Sequence, residues 1–288
     1  MNDISRNETN YGFFIETKLE DGLTLNNNDI NNLSDLKKII KNPICIQGMP
    51  GMADIGKMCV DQLVVLLEAK KVIDIMFDDF PAGAVVSDSI LYSPRAEVYL
   101  YFDPDRKQDL LILTSDAQPM SPRGIHAFSR FLARLINFFG AKLVISLGAF
   151  PVESPSNKNH IYITGTSNQV FENFKENANI SKLSKGVIIG SNGLVPTLCK
   201  NNYGIEGLIL LAETNGFEAM KKDAYDVKAS MSLLQVISKE FSLDFEDQNL
   251  EKEMTVETLE AKIKDEKESI KKEINSSKKK PMTLPYFG

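Results

Sequence analysis

Histidine and cysteine are scarce in this sequence. With only His126 and His160 in 288 residues, a histidine-rich metal centre is excluded, and any Ser-His or Cys-His catalysis must use one of these two. The three cysteines, Cys45, Cys59 and Cys199, are odd in number and form no C-x-x-C pair. A disulfide framework or four-cysteine zinc site is therefore not expected, and a reducing cytoplasm is the natural setting. No apolar run reaches ~18 residues, so no membrane-spanning helix is expected. The start, MNDISRNETN, lacks the basic and apolar regions of a secretory signal. Basic residues are outnumbered, 33 against 39, for a net charge of -6, which gives no support to a nucleic-acid or acidic-membrane binder. What is present is 43% hydrophobic residues, enough for one large domain or two ordinary ones.

Hydrophobic patterning divides the chain. Residues 1–10 read as a polar arm, Tyr11–Thr17 as a strand, Asn26–Asn32 as a loop, and Ser34 as the N-cap of a short helix through Ile40. Short apolar strands follow at Ile44–Gln47, Val72–Phe77, Leu110–Thr114, Leu143–Leu147, Ile161–Thr164, Val187–Ile189 and Leu208–Leu211, with a hairpin from Ile90–Tyr92 to Glu97–Phe102. Helical spacing runs over about Ile55–Lys70, Ile125–Phe139 and Asp226–Phe241, with shorter helices near Gln169–Glu176 and Leu194–Lys200. Strand–helix alternation predicts an α/β fold: one domain over residues 1–245, with a mostly parallel, mixed sheet flanked by helices. Residues 246–288 form a second region. Leu250–Ile274 holds 14 charged residues among 25 on a narrow apolar stripe, as in an exposed helix or an oligomer seam, and an extended tail ends at Gly288.

Three patterns bear on chemistry. Gly51 to Gly56-Lys57-Met58 follows a strand and opens a helix, close to a phosphate-cradling loop, but Met58 stands where the Mg²⁺-ligating hydroxyl belongs. The plainer reading is that Gly48, Gly51 and Gly56 permit a tight turn and close packing. Ser115–Pro119 (with Asp116 and Gln118), Gly148–Phe150 and Glu213–Gly216 are read as loops at strand ends, where α/β proteins bind ligands, and so as one possible anion or ligand rim. His126, His160 and the Asp78-Asp79 pair read as packed or solvated residues. No catalytic residue, metal site or cofactor is assigned. The free end is distinct: Leu284, Tyr286, Phe287 and Gly288 offer apolar side chains beside an α-carboxylate, a combination that pockets can capture.

The run Gln47–Gly51 with Gly56, Asp79-Phe80-Pro81, Ser115–Pro119, Leu147-Gly148-Ala149, Ala212–Gly216 and Asp226–Ala229 together resemble the archaeal proteasome-assembly-chaperone family of the second type, which also carries an ATP-grasp-like label. The resemblance covers roughly Pro43 to Asp244. It implies a nucleoside-phosphorylase-like α/β domain followed by a C-terminal helix, homo-oligomers such as a tetramer or pentamer, and binding to the α-ring of the core proteasome particle without enzymatic activity. The family's docking motif is hydrophobic residue, tyrosine, any residue; Tyr286, Phe287 and Gly288 fill these places, Phe287 without the hydroxyl. Two alternatives stand beside this reading: a nucleotide-dependent enzyme using Gly51–Lys57, and a scaffold with an unrelated partner.

Overall fold

The computed structural model describes residues 13–17, 33–87, 89–105, 107–156, 159–174, 179–221 and 224–243. The chain divides into two units, Met1–Asp244 and Phe245–Gly288, and every described residue lies in the first. Strands are β1 (Phe13–Thr17), β2 (Ile44–Gly48), β3 (Lys70–Phe77), β4 (Val85–Ser87), β5 (Ile90–Tyr92), β6 (Arg95–Tyr101), β7 (Leu110–Ser115), β8 (Leu143–Val152), β9 (Ile161–Gly165), β10 (Ile180–Lys182) and β11 (Glu206–Asn215). Helices are α1 (Leu33–Ile39), α2 (Ile55–Leu66), α3 (Pro122–Phe139), α4 (Ser191–Tyr203), α5 (Gly216–Ala219) and α6 (Val227–Glu240).

Nine strands form one mixed sheet in the order β1-β3-β6-β7-β2-β8-β11-β9-β10. Its centre, β7-β2-β8-β11, is parallel, and its flanks join by antiparallel pairs except β9-β10. β2 and β7 are buried at every position, so both faces must be covered, and helices cover them. α2 and α6 pack together with α2 on β2, β7 and β8; α3 and α4 pack together, with α4 against β8 and β11. Phe128 of α3 stacks on Phe77 at 6.0 Å and meets Phe80 edge-on at 5.3 Å.

α3 begins three residues before the expected Ile125. Ser121 accepts a hydrogen bond from the Gly124 amide at 2.9 Å, and Pro122 occupies the first turn, where its missing N–H costs nothing. Ser34, expected as a cap, instead lies inside α1. The expected pairing of Ile90–Tyr92 with Glu97–Phe102 does not form. β5 pairs with β4, and β6 enters the large sheet between β3 and β7, because its alternate residues Ala96, Val98 and Leu100 are buried there. Val187–Ile189 is no strand: Val187 and Ile189 are 88% and 84% exposed, and the edge strand is Ile180–Lys182. Gln169–Phe174 is 3-10 rather than α-helical.

α2 stops four residues before the expected Lys70. Leu67 is its cap, the Glu68 amide donates to Val65 O at 3.1 Å, and the Ala69 amide to Val64 O at 2.9 Å. This is the crossed-bond helix ending that needs a left-handed residue. α3 and α4 end the same way on Gly140 (φ 78) and Gly204 (φ 71), whereas α2 uses exposed Glu68 (φ 49). A side chain there costs about 1 kcal/mol. Glu68→Gly is therefore expected to stabilise the fold by about 1 kcal/mol, read as a raised midpoint in denaturant unfolding.

Candidate functional site

The turn from β2 into α2 is built by contact between backbones. A Cβ on Gly48 would lie 2.0 Å from Gly56 O, and one on Gly56 would lie 2.2 Å from Leu147 O. The two glycines therefore let α2 press onto β2 and β8. Gly51 is different: its φ of -166° is extended, and an added Cβ meets nothing nearer than 3.8 Å.

The turn itself carries two left-handed non-glycine residues, Ala53 (φ 50) and Asp54 (φ 47). Asp54 Oδ1 accepts the Gly51 amide at 3.3 Å, so the chain's own carboxylate occupies an amide that a phosphate cradle would present. Burial raises the Asp54 carboxyl above its ordinary value. Lys57 is also engaged. Its Nζ lies 2.9 Å from Asp61 Oδ2 and 3.4 Å from Thr114 Oγ1, and the Thr114 hydroxyl donates to Asp61 Oδ1 at 2.8 Å. Burial opposes the charge on Lys57, but Asp61, with Asp116 and Glu97, raises the ammonium's pKa on balance. This donor set does not fit a nucleotide's phosphates, because the lysine already has an anion and a second carboxylate lines the turn.

The other expected rim residues are bound within the fold. Asp116 Oδ2 accepts the Arg95 amide at 3.0 Å, and the Asp116 amide donates to Arg95 O at 2.9 Å, extending the β6–β7 ladder; burial raises its carboxyl. Gln118 is a clamp. Its Nε2 donates to Pro50 O at 2.6 Å, and its Oε1 accepts the Ser191 amide at 3.0 Å, joining the β2 turn to the start of α4. Asn192 repeats the link, accepting from Met49 N at 3.2 Å and donating to Met49 O at 3.3 Å.

Gly148–Phe150 and Glu213–Asn215 are strand residues of β8 and β11, not the loops expected. Glu213 accepts from Ser156 N at 2.9 Å and from the Tyr162 hydroxyl at 3.3 Å. Burial alone would raise Glu213, but Ser156, His160 and Tyr162 hold it below the ordinary value. Asp79 holds the α3 cap in place: its Oδ2 accepts from Ser121 N at 2.9 Å and Ser121 Oγ at 3.0 Å.

Sequence reasoning missed an ionic array on β3 and β6. Arg95 lies 3.3 Å from Asp74 and 3.3 Å from Glu97, Lys71 lies 3.1 Å from Glu97, and the Tyr99 hydroxyl donates to Glu97 at 2.8 Å. Alternation of Arg95, Glu97 and Tyr99 in one strand was the available signal. Burial would raise Glu97, but Tyr99, Lys71 and Arg95 lower it. A group lowered on folding adds stability above its unfolded pKa and loses it as pH falls through the folded one. Wild-type melting temperature is therefore expected to drop as pH falls below the ordinary 4.5. Glu97→Gln should melt lower at neutral pH and narrow its gap to wild type in acid; a constant gap in thermal scans would count against this. Asp54 and Asp116, raised on folding, act in the opposite sense.

Among the described residues, no group of three or more His, Cys, Asp or Glu could hold a metal ion, and no helix is long and apolar enough to cross a membrane. Cys45, Cys59 and Cys199 are buried free thiols, and burial pushes Cys199 up to about 12. Tyr286, Phe287, Gly288 and Leu284 lie outside the described residues.

Thus, of the glycines expected either to cradle phosphate or to pack closely, Gly48 and Gly56 are packed and Gly51 is not, and their neighbours tie loops together. A model of the PAC2 family matches residues 45–265. The chain belongs to the PAC2 family. Neither that match nor the turn's geometry supports the ATP-grasp-like label. The PAC2 protein is 26% identical over 252 residues to protein MJ1210 of Methanocaldococcus jannaschii, covering 86% of this chain and 93% of that one. Its fold is similar to that of Pyrococcus furiosus PbaB, an archaeal proteasome activator, with a TM-score of 0.68 and 22% identity over 91% of this chain and 98% of that one. It is also similar to Pyrococcus furiosus PbaA, an archaeal homolog of proteasome-assembly chaperone, with a TM-score of 0.60 and 20% identity over 84% and 96%. These two likenesses are of fold, and they match the mixed, helix-flanked sheet expected from the residues.

Proposed function

We propose that this PAC2 protein is a non-enzymatic partner of the core proteasome particle, an assembly chaperone or ATP-independent activator. The observation that carries the reading is membership of the family over residues 45–265, with a fold like those of PbaB and PbaA. The absorbed donors at the β2–α2 turn agree with it, since Lys57 is paired to Asp61 and the Gly51 amide to Asp54. In this reading residues 1–245 are a body that holds no catalytic residue, and residues 246–288 carry a charged helix and the docking tail. Tyr286-Phe287-Gly288, preceded by Leu284, enters pockets of the α-ring. The protein acts as a cytoplasmic homo-oligomer, tetramer or pentamer, so several tails engage one ring and raise each other's effective concentration.

The full-length protein, immobilised, is expected to capture core proteasome particles without nucleotide, and calorimetry with ATP and Mg²⁺ is expected to give no binding heat. Failure of capture at micromolar concentrations would overturn the reading. ATP heat abolished by Lys57→Ala would favour the nucleotide-dependent enzyme instead.

A further inference from the structure

The sheet opens at its β10 edge into a cavity in which the β2–α2 turn has no part. β9 alternates its partners there. On one side the Thr166 amide, just past β9, donates to Gly207 O at 2.9 Å and His160 O, just before it, accepts the Glu213 amide at 2.8 Å, so the even-numbered positions bond to β11. On the other side the Ile161 amide donates to Asn179 O at 3.0 Å and Ile163 O accepts the Leu183 amide at 2.8 Å, so the odd-numbered positions bond to β10 and its flanks. β10 ends at Lys182 and the chain then leaves the sheet. Gly165, the next odd-numbered residue of β9, turns its N–H and C=O to the side that β10 has left.

The departing chain returns as a strap. Ile188 is half-buried between Val187 and Ile189, which are exposed, so of the three it is Ile188 that turns inward. Two glycines fix where the strap and the sheet meet α4. A Cβ on Gly193 would lie 2.4 Å from Ile188 O, and one on Gly207 would lie 2.7 Å from Pro196 Cβ. Between those two contacts lies a cavity of about 400 Å³, floored by Thr164 and Ile209, which sit opposite each other on β9 and β11. Small-molecule sites span ~300–1,000 Å³.

The free groups of the cavity select the ligand. The Thr166 hydroxyl is committed to Glu206 Oε2 at 2.7 Å and the Thr197 hydroxyl to Gly193 O at 3.0 Å. Thr164, Ser184 and Lys185 also line the cavity, and among the described residues their side chains have no hydrogen-bond or ion-pair partner. Ser184 and Lys185 are exposed at the mouth, while Leu183, Ile188, Pro196 and Ile209 make the walls apolar. One ammonium with hydroxyl and amide donors matches a single negative charge, whereas a doubly charged phosphate would leave a charge without a cation. The apolar walls match an apolar body behind that charge. We propose that the cavity between β9, α4 and the strap of residues 183–188 binds a small monocarboxylate with a short apolar body. The inference goes beyond the proposed function and does not rest on it.

Hexanoate is the probe, followed by saturation-transfer NMR with the full-length protein. Binding is expected with a dissociation constant on the order of 1 mM. Hexanol, which lacks the charge, should bind at least about tenfold more weakly, and inorganic phosphate at matched concentration should fail to displace hexanoate. Lys185→Ala, at an exposed position, should weaken hexanoate about tenfold and leave the melting temperature of the ligand-free protein unchanged. Thr164→Phe fills the floor and should abolish the signal with far-UV circular dichroism unchanged. No saturation transfer at ~10 mM hexanoate, or equal transfer in wild type and both variants, would overturn the site. Hexanol binding as tightly as hexanoate, or phosphate displacing it, would overturn the monocarboxylate.

Discussion

Deleting Tyr286-Phe287-Gly288 is expected to abolish capture of core proteasome particles and any stimulation of their peptide hydrolysis, while leaving the melting temperature of the body unchanged. The physical ground, in the proposed docking reading, is that Tyr286 and Phe287 offer two adjacent aromatic rings for a pocket to bury. Phe287 tunes the site. Filling the tyrosine place without a hydroxyl forgoes one hydrogen bond, worth roughly 0.5–1.5 kcal/mol, so Phe287→Tyr should tighten binding by up to about tenfold. Surface plasmon resonance on immobilised core particles reads both changes. Deletion without loss of binding, or a weaker Phe287→Tyr complex, would refute the pocket model.

Gly56→Ala is expected to unfold the body or cost about 3 kcal/mol or more. Its new methyl would sit 2.2 Å from a backbone carbonyl in the middle of β8, and neither α2 nor β8 can retreat without breaking the sheet's helical cover. Gly48→Ala should be comparably severe, with Gly56 O 2.0 Å away. Gly51→Ala is the internal control: its backbone is extended and the space beside it is open, so its unfolding midpoint should match wild type. A phosphate cradle would make the opposite forecast, with Gly51 sensitive through lost nucleotide binding. Equal damage from Gly51→Ala and Gly56→Ala in chemical denaturation would sink the packing account.

Much of this was visible in one dimension. The three-and-four spacing from Ile125 to Phe139 located the middle of α3, and the continuous apolar run of β7 announced a strand buried on both faces. Errors arose where local composition and tertiary environment part ways. Val187-Ile188-Ile189 has strand chemistry but lies exposed, because the edge of the sheet is completed by Ile180–Lys182 instead. Gly148 and Glu213 look like loop residues yet sit inside ten-residue strands, where β8 and β11 pair along their whole length. The contacts of the rim residues were hidden for a similar reason. Gln118 finds its partners at Pro50 and Ser191, and Met49 finds Asn192 143 residues away, contacts that no local pattern encodes. The Lys57–Asp61 pair, one helical turn apart, was open to sequence reading and was overlooked.

The position of β2 has a consequence for how the protein is made. It is hydrogen-bonded on both sides, to β7 and to β8, and both strands come later in the chain. Gln47 and its partner Ser146 are separated by 99 residues. At translation rates of about 5–20 residues per second, β2, buried at every position in the finished fold, emerges from the ribosome roughly 5–20 seconds before the sheet can close around it. The nascent chain is thus most exposed to misassociation in its first half, and shielding of that segment during synthesis should govern the yield of folded protein.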